Sequence, residues 1–405
     1  MKITNNTIKL TFTGDILCSM SQNELCYVNN GYDYSKVFEN VEEELSSSDF
    51  VCGNLETTIS GKELEYTNSA YSFNTPIEFL DALKKAGFDM LTLANNHIQD
   101  RGELGVINTI QSLENRRIEY TGIYRSKQDC DNIYIREIKG CRIAIISTTY
   151  GVNSEIHGLF IPSEKDYMID YLREQAMTLN WQFSWNMSLI GRGIRKIKKI
   201  CSRFFCYEYY NPNIVIDTAT LDSANSLLSK KYEQRVLDKI RKAKEIADIV
   251  IVCLHVGGQY NSKLGEYTKY IYTLWENEGI DMIVGNHPHV VLPHRKKHES
   301  LITYSLGNFA FTPDENVIKG VYADYSILLN AYVSVDEKAI VGYSFSIVKN
   351  VVEETGLSQP IMLYDLYSNE KDKFKKEQLL QDCKCVLKRF GWRGDKSLQK
   401  EYYID

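Results

Sequence analysis

The chain has 405 residues, of which 43% are hydrophobic and 25% charged, and a formal net charge of −6. At roughly 100–200 residues per domain, that length holds one large α/β domain with additions, or two to three domains; the composition is that of a soluble globular protein. So mild a charge excludes a general field for nucleic acid or for a membrane surface. The ten cysteines lie mostly in apolar runs, as at Cys52, Cys141 and Cys253, where they read as small buried hydrophobes. Cys383 and Cys385 are too close for an ordinary zinc knuckle. The opening residues MKITNNTIKLTFTGD lack an apolar stretch of signal-peptide length, and no run reaches the roughly 18 apolar residues of a membrane span. Free thiols and a cytoplasmic chain, at most peripheral to a membrane, are the expectation.

Short apolar runs alternate with segments of helical period. Ile8–Thr13 predicts a strand ending in Gly14-Asp15, and Phe50–Cys52 one ending in Gly53-Asn54-Leu55-Glu56. Thr75-Pro76 reads as an N-cap and first-turn proline opening a helix that stops at Gly87. Met90–Leu93 is a strand running into Asn95-Asn96-His97, followed by a helix over Gly102–Arg116. Arg142–Ser147, Ile249–Leu254, Met282–Val284 and Leu301–Tyr304 are further buried strands, with helices at Tyr232–Ala247 and Leu264–Glu278. Ser326–Val335 and Ile340–Lys349 alternate as a hairpin does. The pattern is α/β, with one domain over 1–350 and a C-terminal helical extension over 351–405.

Residues 163–225 interrupt that pattern as an insertion. Within Gly191–Phe205, Arg192, Arg195, Lys196, Lys198, Lys199 and Arg203 occur without an acid, while Ile190, Ile194, Ile197 and Cys201 recur at helical spacing. This predicts a basic amphipathic helix. It suits a docked helix with a solvated face, a cationic lid over an anionic substrate, or a membrane-surface contact.

The chemistry is signalled by position. His97, His255, His287 and His289 each fall just after a predicted strand, and so do Asp15 and Glu56. In α/β proteins, sites are built from loops at the carboxyl ends of strands. Imidazoles with carboxylates suit a pair of divalent metals, which can clamp the attacking and leaving oxygens of a displacement. Pro288 stiffens His287-Pro288-His289, so that two imidazoles point to one side of an extended loop. Asn96 offers a carbonyl oxygen to a metal or an N–H to a substrate. His157, His294 and His298 lack the strand-end setting and read as loop or surface residues, His294 being at most a supporting neighbour.

The runs Thr13-Gly14-Asp15, Gly53-Asn54-Leu55-Glu56-Thr57, Ala86-Gly87-Phe88-Asp89, Leu93-Ala94-Asn95-Asn96-His97 with Asp100 and Gly102, Thr148–Asn153, Leu254-His255-Val256-Gly257, Gly285–His289 and Tyr304–Phe309 follow one another in the order of a known family. The sequence resembles the CapA family of bacterial capsule and poly-γ-glutamate synthesis proteins, related to the calcineurin-like metallophosphoesterases. That resemblance implies a metallophosphatase-like β-sandwich flanked by helices, in four α/β/β/α layers. It implies two divalent ions (Mn, Zn or Fe) held by Asp15, Glu56, Asn96, His97, His255, His287 and His289, with His97 alternatively donating to a substrate oxygen. Asp100 would be the acidic partner of His97, His97 or His255 the general acid, and Asn95, Asn308 and Tyr304 would line the substrate pocket. The implied role is metal-dependent hydrolysis of a phosphate ester or an amide or peptide-like bond, on an anionic polymer or a small phosphorylated or γ-glutamyl substrate and not on nucleic acid. The alternative is a non-catalytic subunit of a membrane-associated polymer synthesis or export complex. Three features depart from the family pattern. Val256 and Gln259-Tyr260 stand where Trp and an acid before tyrosine are usual. Ile16-Leu17 after Asp15 breaks the Asp-x-His opening, which predicts a poorer second metal site. The N-terminal membrane anchor common in the family is not seen.

Overall fold

A computed structural model describes residues 6–69, 71–175, 226–312 and 321–405. The basic segment Gly191–Phe205 lies outside the described residues. The strands are β1 (Thr7–Ile16), β2 (Tyr27–Val28), β3 (Gly31–Tyr32), β4 (Phe50–Leu55), β5 (Met90–Thr92), β6 (Glu119–Thr121), β7 (Ile135–Ile138), β8 (Cys141–Thr149) and β9 (Ile249–His255). They continue as β10 (Met282–Asn286), β11 (His294–Lys297), β12 (Ser300–Thr303), β13 (Asn308–Ala310), β14 (Tyr325–Ser334), β15 (Ala339–Val352), β16 (Ser358–Met362) and β17 (Tyr402–Ile404). One sheet runs β16-β15-β14-β1-β4-β5-β6, with β13 joined to β1 and β17 to β15; the other runs β11-β12-β10-β9-β8-β7.

The layering follows from the side-chain alternation of strands. Phe50 and Cys52 of β4, Ile143 and Ile145 of β8, and Ile249 and Ile251 of β9 share one apolar core between the sheets. Their neighbours point the other way. Val51 packs outward with Phe79, Leu80, Leu83, Val106 and Ile110 from the helices Glu78–Lys85 and Gly102–Arg116. Ala144, Ile146, Val250 and Val252 pack outward with Val236, Ile240, Ile271 and Trp275 from Leu227–Ile246 and Glu266–Glu276. The result is an α/β/β/α sandwich. Strands buried on both faces read as near-continuous apolar runs, and so β8, β9 and β10 were legible, whereas β1 alternates Ile8, Leu10 and Phe12 with Lys9, Thr11 and Thr13.

The expected hairpin is β14–β15, paired from Tyr325↔Lys349 to Ser334↔Ala339. Residues 351–405 do more than extend the chain helically. β16 and β17 both pair with β15, and Leu379, Cys383, Val386, Leu387 and Phe390 of the helix Lys373–Arg389 enter the core between the sheets. One local expectation fails. The helix after Pro76 starts at Glu78 with no side-chain cap, because the Thr75 hydroxyl is engaged by Thr57 at 2.8 Å. Among the described residues, Cys18, Cys26, Cys52, Cys130, Cys141, Cys253 and Cys383 are free and buried.

What matters for the site is direction. β1, β4 and β5 are parallel in the first sheet, as are β8, β9 and β10 in the second. Their carboxyl ends meet at one edge of the sandwich.

Candidate metal centre

Asp15 ends up there because β1 is flanked by β4 and β13, with Asp15 opposite Asn54 and Asn308. Glu56 directly follows β4, its N–H donating to the Ile16 carbonyl at 2.9 Å. His255 is the last residue of β9 and lies in register with Asn286 of β10, one residue before His287. Two glycines permit this closeness. A Cβ on Gly14 would stand 1.9 Å from the Gly307 carbonyl oxygen, and one on Gly285 would stand 2.3 Å from that of Tyr304.

His287 and His289 are not on an extended loop. Their φ angles are 99° and 57°, a left-handed backbone costing of order 1–3 kcal/mol each for such residues. The surroundings fix it. The His287 N–H donates to Asp15 Oδ2 at 3.1 Å, the Tyr260 N–H to the Pro288 carbonyl at 2.8 Å and the Val256 N–H to that of Asn286 at 3.1 Å. The left-handed turn still brings both imidazoles inward, with ring centroids 5.9 Å apart.

Two ligand clusters share one residue. Donor atoms of Glu56, His255 and His287 lie within 4.8 Å of one another, and so do those of Asp15, Glu56 and His289. Around His255 Nε2 stand Asn96 Oδ1 at 2.7 Å, His287 Nδ1 at 3.0 Å and Glu56 Oε1 at 3.4 Å. These are mostly lone-pair-bearing atoms, with too few protons to satisfy them all. Neither oxygen of the buried Glu56 accepts a hydrogen bond, and His287 Nε2 is buried without one. Buried polar atoms are nearly always satisfied, and a carboxylate bridging two cations would satisfy these. The set of N and O donors therefore fits divalent metal.

Electrostatics follow the same division. Burial alone would raise Asp15, but its hydrogen bond to His289 and the charges of His255 and His289 hold it below the usual carboxylate range. His289, desolvated yet facing Glu56, Asp15 and Asn308, is raised to about 9. The end of the site near His289 favours positive charge. His287, buried beside His255 and His289, is pushed well below the ordinary imidazole range; it is held as the neutral form that ligates metals.

His97 joins neither cluster. Its Nδ1 is 2.7 Å from Asp100 Oδ2, an oxygen that also accepts the Phe73 N–H at 2.7 Å. The Phe73 ring meets the imidazole edge-on at 4.6 Å. Desolvation would lower the His97 pKa, but the Asp100 carboxylate raises it. With Nδ1 fixed, Nε2 is the nitrogen left for a substrate oxygen.

The model of the bacterial capsule synthesis protein family PGA_cap matches residues 9–313. The chain belongs to that family. Among curated members, this PGA_cap chain is 26% identical over 314 residues to the capsule biosynthesis protein CapA of Bacillus anthracis, covering 76% of this chain and 60% of that one. It is 23% identical over 309 residues to the PGA biosynthesis protein CapA of Bacillus subtilis (strain 168), covering 76% of this chain and 64% of that one. The alignments thus span less than two thirds of either relative. Solved structures overlap more loosely. A phosphatase from Mycoplasma pneumoniae gives a TM-score of 0.43 at 14% identity, covering 85% of this chain and 94% of that one. A hypothetical protein from Thermus thermophilus gives 0.42 at 11%, covering 84% and 99%.

In this PGA_cap chain the strand-end residues Asp15, Glu56, Asn96, His97, His255, His287 and His289 come together. Asn308 supports His289, its Oδ1 2.9 Å from Nδ1 and its amide donating to the His289 carbonyl at 3.2 Å. Asn95 is fully buried and spends its amide on the Leu55 carbonyl at 2.8 Å and its oxygen on the His97 N–H at 3.1 Å; it holds the loop. The Tyr304 ring packs on Tyr272 at 4.7 Å. His294 is bonded to the Phe390 carbonyl at 2.6 Å. His157 corrects the surface reading, because its Nε2 sits 3.2 Å from Asp100 Oδ1. Sequence reasoning also left two amides without a role. Asn54 donates to Asp15 Oδ1 at 2.7 Å and lies 3.3 Å from His255 Nδ1. Asn153 lies 3.5 Å from His97 Nδ1. Both stand in motif runs, which was the available signal.

Proposed function

We propose that the protein is a divalent-metal-dependent hydrolase of capsule or poly-γ-glutamate metabolism, acting on a phosphate ester or on an amide or γ-glutamyl bond of an anionic substrate. The observation that carries this reading is Glu56: a buried carboxylate common to two ligand clusters, with both oxygens lacking a hydrogen bond. Asp15, Glu56 and His289 would hold one ion, and Glu56, His255 and His287 the other, with the Asn96 side chain beside His255. Metals bound there supply Lewis acidity and a water nucleophile at neutral pH.

The remaining roles belong to the chain. Asp100 orients the His97 imidazole, so that Nε2 can pass a proton to the leaving oxygen or nitrogen. Asn54 holds Asp15 and His255 together from between the sheets. The left-handed turn at His287 and His289 fixes two ligands before any ion arrives, which lowers the ordering cost of binding. The test is elemental mass spectrometry on purified protein, followed by a screen of phosphomonoesters, phosphodiesters and γ-glutamyl peptides using wild type and His97→Ala. Bound metal in both, with turnover only in wild type, is the expected result. A metal-loaded wild type inert on all three classes would leave the catalytic reading without support.

A further inference from the structure

Arg173 stands at the edge of the candidate metal centre, with no ion pair among the described residues. Thr149, the last residue of β8, receives the Leu172 N–H on its carbonyl at 2.9 Å, and the Tyr150 N–H donates to the His255 carbonyl at 3.0 Å. These bonds seat the segment ahead of Arg173 on the carboxyl end of the second sheet. The Arg173 guanidinium lies over the Tyr150 ring, 5.4 Å from its centroid. That ring is in turn 5.0 Å from the His287 imidazole. One aromatic ring therefore separates the cation from a proposed metal ligand. Gly151 leaves it room, since a Cβ there would stand 2.9 Å from Arg173 Nε.

Arginine side chains packed into a protein normally spend their five donors on carboxylates or carbonyls. Arg173 is half-buried, its Nε is buried with no hydrogen-bond partner, and among the described residues it makes no ion pair. The nearby acids of the centre, Asp15 and Glu56, face the histidines instead. We propose that Arg173 is the residue that binds the oxyanion carried by the substrate, a carboxylate or phosphoryl group beside the scissile bond. Tyr150 flanks the guanidinium through a cation–π contact, and the fork offers paired N–H donors to two oxygens of one anion. This rests on the metal-site reading for the location of the scissile bond and makes Arg173 a specificity determinant of that site.

The test uses the full chain loaded with Mn²⁺, with metal content measured for every variant. Calorimetric titrations with inorganic phosphate and with N-acetylglutamate compare wild type, Arg173→Met, Arg173→Lys and Gly151→Ala. Loss of a charge-assisted contact predicts that Arg173→Met weakens at least one anion by about 10- to 100-fold, with metal content unchanged. Arg173→Lys should recover part of that loss. Gly151→Ala, which crowds the guanidinium while keeping its charge, should fall between wild type and Arg173→Met. The arm that responds tells carboxylate from phosphoryl. Equal affinities of wild type and Arg173→Met for both anions, or no binding of either by wild type, would overturn the proposal. If Arg173→Met does not fold, wild-type affinity in Arg173→Lys and Gly151→Ala overturns it equally. A wild type that takes up no metal but still loses anion affinity on Arg173→Met would instead refute the metal reading alone.

Discussion

Substituting Glu56 by Gln separates a metal ligand from a structural acid. Glu56 is fully buried, and among the described residues its carboxylate stands 3.4 Å from His255 and 3.8 Å from His289 and accepts no hydrogen bond. Without metal, the His289 imidazole keeps its Asp15 partner at 3.4 Å, so replacing the Glu56 carboxylate by an isosteric amide should leave stability in chelator nearly unchanged. With metal the expectation changes. At a concentration 100 times Kd, a ligand that binds only the folded state contributes about 2.7 kcal/mol. At about 2.1 cal/mol/K per residue, the unfolding entropy of a 405-residue chain is about 0.85 kcal/mol/K. The wild type should therefore gain about 3 °C in Tm from saturating Mn²⁺, and Glu56→Gln close to nothing. Differential scanning fluorimetry with EDTA and with Mn²⁺ reads both arms. A variant that melts several degrees lower in EDTA yet keeps the full Mn²⁺ shift would show that Glu56 stabilises the fold as an anion and bridges nothing.

Three further outcomes test the frame around the site. Lys239 and Asp170 are both buried and paired at 2.6 Å, with the Tyr124 hydroxyl donating to the same carboxylate at 2.6 Å; Asp170→Ala strands the ammonium and should cost about 3–5 kcal/mol in urea denaturation, whereas the double variant Asp170→Leu/Lys239→Met should recover much of that, and a single-variant loss below about 1 kcal/mol would refute the pairing. Gly285→Ala sets a methyl against the Thr303 and Tyr304 carbonyls at 2.5 and 2.3 Å, so it should cost about 1–3 kcal/mol and weaken metal uptake by displacing His287; unchanged metal content would show that the His287 turn tolerates the shift. Glu401 is held below the usual carboxylate range, since burial, which raises it, is outweighed by hydrogen bonds from Ser344, Tyr332 and Tyr403. A depressed folded pKa adds stability that is present above the unfolded value, about 4.3, and is lost as pH falls through the folded value. Glu401→Gln should thus cost about 1 kcal/mol at pH 7 and progressively less towards pH 3, and a pH-independent difference would contradict the assignment.

What could be read from sequence divides along a physical line. Strands in the middle of the sheets are buried on both faces, so their apolar runs and the polar residues that end them stand out; Asp15, Glu56, His97 and His255 were all legible in that way. β6, β7, β11 and β16 were not read as strands, and each lies at an edge of its sheet. Edges tolerate and even favour charge, so segments such as His294–Lys297 carry no apolar signal. The His97–Asp100 pair lies three residues apart, and the family resemblance named Asp100 as the partner of that histidine. The other oxygen of Asp100 is approached by His157 from a four-residue helix 57 positions downstream of it, and no local period predicts that approach. Arg173 is the same case in stronger form, because its meaning depends on a ring at Tyr150, a missing side chain at Gly151 and the lack of an ion pair among the described residues. Such residues come from the connections between strands, where geometry is set by tertiary contact. The residue types that gather at the strand ends were therefore readable from sequence, and the groups that pack around and orient them required the fold.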